Sequence, residues 1–146
     1  MIISKNWLAD YVQLPGTTAD LVDRLLMAGL NHESTTVVGD DEAVEIEVTS
    51  NRPDCLGHIG VAREAALLCG RPLHVPDPRP LEGGALAARS VAVQIQAADV
   101  CPFYTARVIR GVRVGPSPRW LVDRLHTVGV ASVNNVVDVT NYVMLE

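Results

Sequence analysis

The sequence is poor in aromatic residues, with one Phe, two Trp and three Tyr among 146 residues. A core must therefore be assembled mostly from Leu, Val and Ala. The few large rings become candidates for specific contacts. Cysteine is scarce and odd in number, at three. Cys55 and Cys69 fall on one expected helix, which sets their backbones about 21 Å apart at the α-helical rise. A disulfide needs Cα atoms within about 7 Å, so these two cannot bridge each other. No C-x-x-C occurs. Reduced thiols in a cytoplasmic protein are the expectation. No apolar run approaches the roughly 18 residues of a membrane span. The opening MIISKNWLADY has no apolar segment of signal-peptide length.

Bulk positive charge is also missing. Twelve Lys and Arg face 17 Asp and Glu, a net charge of -5. That excludes a chain whose main task is to grip nucleic acid by charge. The imbalance is uneven. Residues 1–100 hold 7 basic and 14 acidic side chains, whereas residues 101–146 hold 5 and 3, every basic one an Arg. The second part has either a weak polyanion contact or simply a solvated face. The four histidines, His32, His58, His74 and His126, have no metal-ligand spacing such as H-E-x-x-H. No G-x-S-x-G, Walker A or G-x-G-x-x-G is present. No catalytic residue and no metal ligand is assigned.

What is present reads as a small α+β protein. Ser4 can cap a short helix that places Trp7, Leu8, Tyr11 and Val12 on one face. LPGT predicts a turn. Thr17 and Asp20 have capping-box spacing for a second helix with Leu21, Val22, Leu25 and Leu26 as its apolar stripe, stopped at Gly29. STTVV (34–38) and VEIEVT (44–49) predict a hairpin around GDDEA. In the second arm Val44, Ile46 and Val48 alternate with Glu45 and Glu47, as in a half-buried strand. A third helix, ending at Gly70 and Pro72, buries Ile59, Ala62, Ala66 and Cys69, with Val61, Ala65 and Leu68 beside them. Residues 71–90 contain four prolines and a Gly-Gly pair and predict a linker. Strands are expected at 91–96 and near 103–110. SPRWLVDRLHTVG predicts a helix capped by Ser117, with Pro118 in its first turn. In the tail NNVVDVTNYVMLE, β-branched residues favour a strand, whereas the 136, 139/140, 143 spacing favours a helix, which is preferred. Two strands and one or two helices cannot close a sheet, so residues 91–146 are expected to be an incomplete α/β unit.

Three groups of residues carry candidate chemistry. At the joint, Asn51, Arg52, Pro53 and Asp54 stand consecutively between strand and helix. Pro53 bars Arg52 from helical angles, Asp54 is expected to cap the third helix, and Asn51 suits a tight turn. Arg52 could bridge to Glu45, Glu47 or Glu64, or contact a phosphate. Cys55, near a helix N-terminus, is either a stabilised thiolate or a buried small side chain. In the tail, Asp138, Thr140 and Asn141 form a polar cluster, either the wet face of a helix or the lining of a cavity.

These segments resemble one family. EIEVTSNRPDCLGHIGVAREAALLCG, CPFYTARVIRGVRV and SPRWLVDRLHTVGVASVNNVVDVTNYVMLE, together with KNWLADYV and LLMAGLNHES, are similar in order to the β subunit of bacterial phenylalanyl-tRNA synthetases. The resemblance covers nearly the whole chain. It implies that residues 1–70 form a winged-helix-like N-terminal domain, 71–90 a linker, and 91–146 the first part of a domain that edits mischarged tyrosyl-tRNA. It implies that VTNYV helps line the editing pocket, through Thr140 and Asn141. It also implies an α subunit as partner, tRNA(Phe) in the full assembly, and ATP and Mg2+ used by the parent enzyme but not bound by this chain. Most bacterial members insert an oligonucleotide-binding-fold domain between the hairpin arms, and only GDDEA stands there here. The family's next segment, with an editing-site histidine, would follow residue 146. A fragment or truncated relative, inactive alone, is therefore expected. The alternative is a free-standing winged-helix-like nucleic-acid-binding module or a subunit adaptor, although the third helix carries only Arg63 and Arg71 against Asp54 and Glu64.

Overall fold

The computed structural model describes residues 1–14 and 16–146. Pro15, in the expected LPGT turn, lies outside the described residues. The elements are β1 (Ile2–Ser4), α1 (Lys5–Leu8), α2 (Thr18–Met27), β2 (Asn31–Val38), β3 (Asp41–Glu47), α3 (His58–Cys69), α4 (Arg119–Thr127) and α5 (Asn135–Leu145). The fold is α+β. One antiparallel sheet of order β1-β3-β2 lies beside the helices. Residues 1–76 and 114–146 form one compact unit, and residues 77–113 form another.

The local sequence accounts for most of these boundaries. Ser4 accepts a hydrogen bond from the Trp7 amide and so caps α1. Thr17 and Asp20 form the expected reciprocal capping box on α2. In the hairpin, Val38 pairs with Asp41, leaving only Gly39 and Asp40 in the loop. Gly39 has φ +64° and, among the described residues, no non-glycine residue has a positive φ, as a glycine-first hairpin turn requires. The hairpin is longer and its turn tighter than the sequence suggests. β1 has no counterpart among the expected strands, because three residues are too few for an alternation signal. It nevertheless pairs with β3 through Ile2–Glu45, Ile3–Val44 and Ser4–Ala43.

The core joins Ile3, Trp7, Leu8, Tyr11 and Val12 to Leu21, Leu25, Leu30, Val44 and Ile46, with Val61, Ala62, Ala65 and Ala66 of α3 filling its centre. Leu121 and Leu125 of α4 are also fully buried. The tail is helical, its β-branched residues overruled by packing of Asp138, Tyr142 and Leu145.

Three expectations need correction. Asp54 does not cap the third helix. Pro53–Cys55 form a separate 3-10 turn, and α3 begins only at His58, after Gly57. The reason is a close crossing: a Cβ on Gly60 would stand 1.6 Å from the Asp54 carbonyl oxygen. The chain folds back over the first turn of α3 instead of running into it. Ser117 does not cap α4, since Pro118 holds the N-cap position with no side-chain cap. Ser117 bonds Asp138 instead. Finally, residues 91–96 and 103–110 join no ladder, and among the described residues 77–113 only Ala87–Arg89 are regular, as one 3-10 turn. Val91, Val93 and Ile95 remain exposed, because the alternation of a half-buried strand has no neighbouring strand to pair with.

The Gly60 crossing generates a stability prediction. Gly60→Ala must push apart two backbone segments, and should destabilise the chain by about 3 kcal/mol. Urea unfolding should show a lower midpoint at unchanged slope, and an unchanged midpoint would contradict the crossing.

Candidate functional site

The joint is built around one guanidinium. Arg52 donates through Nε and Nη2 to the two carboxylate oxygens of Asp54, at 3.0 and 2.9 Å. Its Nη2 also pairs with Glu64 Oε1 at 2.9 Å. The hydrogen bonds from Arg52 hold the Asp54 carboxyl down at about 2. Two carboxylates on one guanidinium leave little net charge for a phosphate. Of the three acidic partners foreseen for Arg52, Glu64 is the one engaged. Asn51 accepts from the Thr49 hydroxyl at 2.6 Å. Cys55 is fully buried, and burial pushes its thiol up to about 11. It is a protonated core side chain at neutral pH, which settles against the thiolate reading.

In the tail, the sequence grouped Asp138, Thr140 and Asn141, and the structure separates them. Asp138 is fully buried. It accepts from Ser117 and Ser132 hydroxyls at 2.5 Å each and from the Val133 amide at 2.8 Å. These donors, Ser117 foremost, lower its pKa. It ties the loop before α5 to the first turns of the helix. Thr140 is exposed and bonds back to the Val137 carbonyl at 2.7 Å. Asn141 is half-buried on the flank between these two faces.

Sequence reasoning missed the most elaborate constellation. His58, read only for metal spacing, is fully buried at the start of α3. Its ring stacks on Trp7 at 3.8 Å, and the other face of Trp7 stacks on Tyr142 at 4.4 Å. The Ser4 amide donates to His58 Nε2 at 3.1 Å. His58 Nδ1 lies 2.7 Å from the Leu145 carbonyl oxygen. An amide can only donate and a carbonyl only accept, so the proton sits on Nδ1 and the ring is neutral. Around the stack, Trp7 Nε1 donates to Tyr11 Oη at 3.0 Å, and Tyr11 donates to Glu146 Oε1 at 2.7 Å. The Ile59 amide donates to the Glu146 carbonyl at 2.6 Å. Arg124 reaches Tyr142 Oη at 3.1 Å, is ion-paired with Asp10, and lies over the rings of Trp7 and Trp120. The scarcity of aromatics was the available signal, since four of the six, Trp7, Tyr11, Trp120 and Tyr142, meet here.

A shallow cleft of about 440 Å³ is lined by Lys5, Asn6, Ala9, Asp10, Gln13 and His74, among others. It holds no acid–base or nucleophile pair with catalytic geometry. Among the described residues, no three His, Cys, Asp or Glu are grouped to hold a metal ion. Among them, too, no helix is long and apolar enough to cross a membrane.

Comparison with known proteins gives a consistent answer. The family model described as the B3/4 domain matches residues 100–146. The chain is 53% identical over all 146 residues to a phenylalanine–tRNA ligase beta subunit of Rhodopirellula baltica, covering 100% of this chain and 21% of that protein. It is 52% identical over 107 residues to the beta subunit of Anaeromyxobacter dehalogenans and 50% identical over 107 residues to that of Bdellovibrio bacteriovorus. In both cases 73% of this chain and 13% of the relative are covered. The chain thus spans about a fifth or less of the length of these relatives.

His58 makes the stability of this region depend on pH. Burial depresses its pKa from 6.5 to about 4, with Arg124 acting in the same direction and the Leu145 carbonyl and Asp41 opposing. The unfolded chain binds the proton more readily than the folded one. The stabilisation is therefore complete above about pH 6.5 and is lost as pH falls toward 4, a loss of the order of 3 kcal/mol. The melting temperature should fall across that window. His58→Gln should melt lower at pH 7.5 and show a shallower decline, because it has no imidazole to protonate. Parallel pH profiles for the two proteins would show that His58 does not titrate with unfolding.

Proposed function

Because the chain belongs to the phenylalanine–tRNA ligase beta-subunit family, we propose that it is the N-terminal part of such a subunit and contributes one wall of a tRNA-editing site. The observation that carries this reading is identity of 53% from the first residue to the last. On this reading residues 1–70 are the N-terminal domain, 71–90 the linker, and 91–146 the start of the editing domain. Compactness and ancestry divide the chain differently: residues 114–146 pack with 1–76. A domain begun by one segment and finished by others can rest its first helices on a neighbour.

The hairpin supports the proposed absence of an inserted oligonucleotide-binding domain. Its arms are joined by two residues, with no room for an insertion. The coverages agree. Relatives matched over 107 residues at 13% of their length are longer than the one matched over 146 at 21%. The difference is roughly a hundred residues, the size of a small domain.

The proposed chemistry is hydrolysis of the ester in mischarged tyrosyl-tRNA, with Thr140 and Asn141 giving polar contacts from α5. Ester hydrolysis needs an oriented water and a polarised carbonyl held together. One helix with one hydroxyl and one amide supplies a wall and not a complete site, so this segment alone is inactive. Aminoacylation, with its ATP and Mg2+, belongs to the assembly with the α subunit, and no residue here is assigned to hold either. A cytoplasmic location follows from that role in translation. The alternative of a DNA-binding winged helix fits less well. α3 buries Val61, Ala62, Ala65 and Ala66, and Arg52, Arg107, Arg119 and Arg124 are all ion-paired.

The experiment is deacylation of tyrosyl-tRNA. The isolated segment should not exceed a buffer blank. In the assembled ligase, Asn141→Ala should slow deacylation about tenfold while phenylalanylation is retained. An unaltered deacylation rate would remove α5 from the pocket.

A further inference from the structure

α5 is fastened at two places, and the fastenings come from different parts of the chain. Near its start, Asp138 binds Ser117, Ser132 and the Val133 amide. These groups all belong to residues 114–146. Near its end, Arg124 and Trp120 of α4 touch Tyr142, and the other fastenings come from residues 1–76. Trp7 stacks on Tyr142, His58 binds the Leu145 carbonyl, the Ile59 amide binds the Glu146 carbonyl, and Tyr11 binds the Glu146 carboxylate. Thr140 and Asn141 lie between the two anchors, two and one residues before Tyr142 respectively.

We propose that His58 and Trp7 are positioning residues for editing: by binding the Leu145 carbonyl and stacking on Tyr142, they clamp the end of α5 so that Thr140 and Asn141 are held in register toward the misacylated ester. The proposal rests on the reading of α5 as a wall of the editing pocket. Its physical content is axial. Neighbouring residues on a helix differ by about 1.5 Å in height and 100° in direction. A small slip or roll of α5 therefore moves Asn141 off its target, and misplacement by about 1 Å costs roughly a hundredfold in rate. The Asp138 anchor fixes the helix at one point only. A second point is needed to stop rotation about the first, and the Trp7 sandwich provides it.

The clamp is also rigid for stated reasons. Trp7 has ring neighbours on both faces, at interplanar angles of 19° and 16°. His58 cannot flip without turning C–H groups toward both the Ser4 amide and the Leu145 carbonyl, and it cannot change tautomer without placing an N–H against the Ser4 amide. Ser4 is itself fixed, because its hydroxyl binds both Asp41 Oδ2, at 2.5 Å, and the Trp7 amide. The position of α5 is thus referred to the β1–β3 pairing of the N-terminal sheet.

The test uses the assembled ligase, with this segment in its β subunit and the α subunit bound. Single-turnover deacylation of tyrosyl-tRNA is compared with phenylalanylation. His58→Phe keeps a ring on Trp7 and removes both hydrogen bonds. It should lower the deacylation rate constant about tenfold, with the tyrosyl-tRNA concentration for half-maximal rate and phenylalanylation both within about twofold. His58→Asn, which can return a donor near the place of Nδ1, should recover most of the loss. If His58→Phe does not assemble, Trp7→Phe, which thins the sandwich, should give the same split. Wild-type deacylation in either variant would overturn the clamp, as would a uniform loss of both activities, which marks a purely structural role. Asn141→Ala separates the two readings. If it loses deacylation while His58→Phe does not, the clamp fails alone. If Asn141→Ala is unimpaired, the pocket assignment fails first and the clamp with it.

Discussion

Trp7 lies between two flat rings, and much of the compact unit depends on that sandwich. Its indole is fully buried, with His58 on one face and Tyr142 on the other. The two partners are 84 residues apart in sequence and sit on α3 and α5. Offset-stacked aromatic pairs contribute about 0.5–1.5 kcal/mol beyond their buried area. The larger effect is geometric. A chain with six aromatic residues places four of them, and a histidine, where helices from its two ends meet. Polar atoms around the stack are all partnered: no buried side-chain nitrogen or oxygen among the described residues lacks a hydrogen bond. That satisfaction is what makes a buried polar cluster rigid rather than costly.

Much of the N-terminal half is legible in its sequence, because its signals are local. The capping box at Thr17 and Asp20, the alternation of Val44 and Ile46 and the apolar face of α1 each depend on a few neighbouring residues, and each appears in the structure. The errors lie where a distant contact overrides a local preference. Asp54 is a good cap by type, but the tight crossing at Gly60 turns the chain away from α3. Ser117 is a good cap by type, but buried Asp138 takes its hydroxyl. His58 could not be placed at all from spacing, since its partners are Ser4, Trp7 and Leu145, none of them near it in sequence.

The candidate site follows the same pattern. The tail was recognisable as a polar cluster in an apolar helix, yet its three members have different tasks. Asp138 is buried and structural, Thr140 is exposed, and Asn141 is half-buried between them. Position on the helix explains the split. Residues 138, 142 and 145 share one face, Thr140 lies opposite, and Asn141 flanks the buried face. Residues 77–113 show the converse. Their apolar alternation is correctly strand-like, but a strand is defined by its partner, and Val91, Val93 and Ile95 have none among the described residues.

The joint from Asn51 to Asp54 stands just before α3, the helix that carries His58. Its chemistry resembles a ligand loop, with an amide, a guanidinium and a carboxylate in succession. Its charges, however, are closed on themselves. Arg52 is held in a fork by Asp54 and again by Glu64 of α3. A guanidinium fixed by two carboxylates is a poor phosphate receptor but a good brace, because its planar donors fix orientation as well as distance. Glu64 lies less than two turns beyond His58 on the same helix. The brace therefore ties the joint to the second turn of α3, the helix that carries His58 at its start, beside the crossing at Gly60 that already fixes where that helix begins.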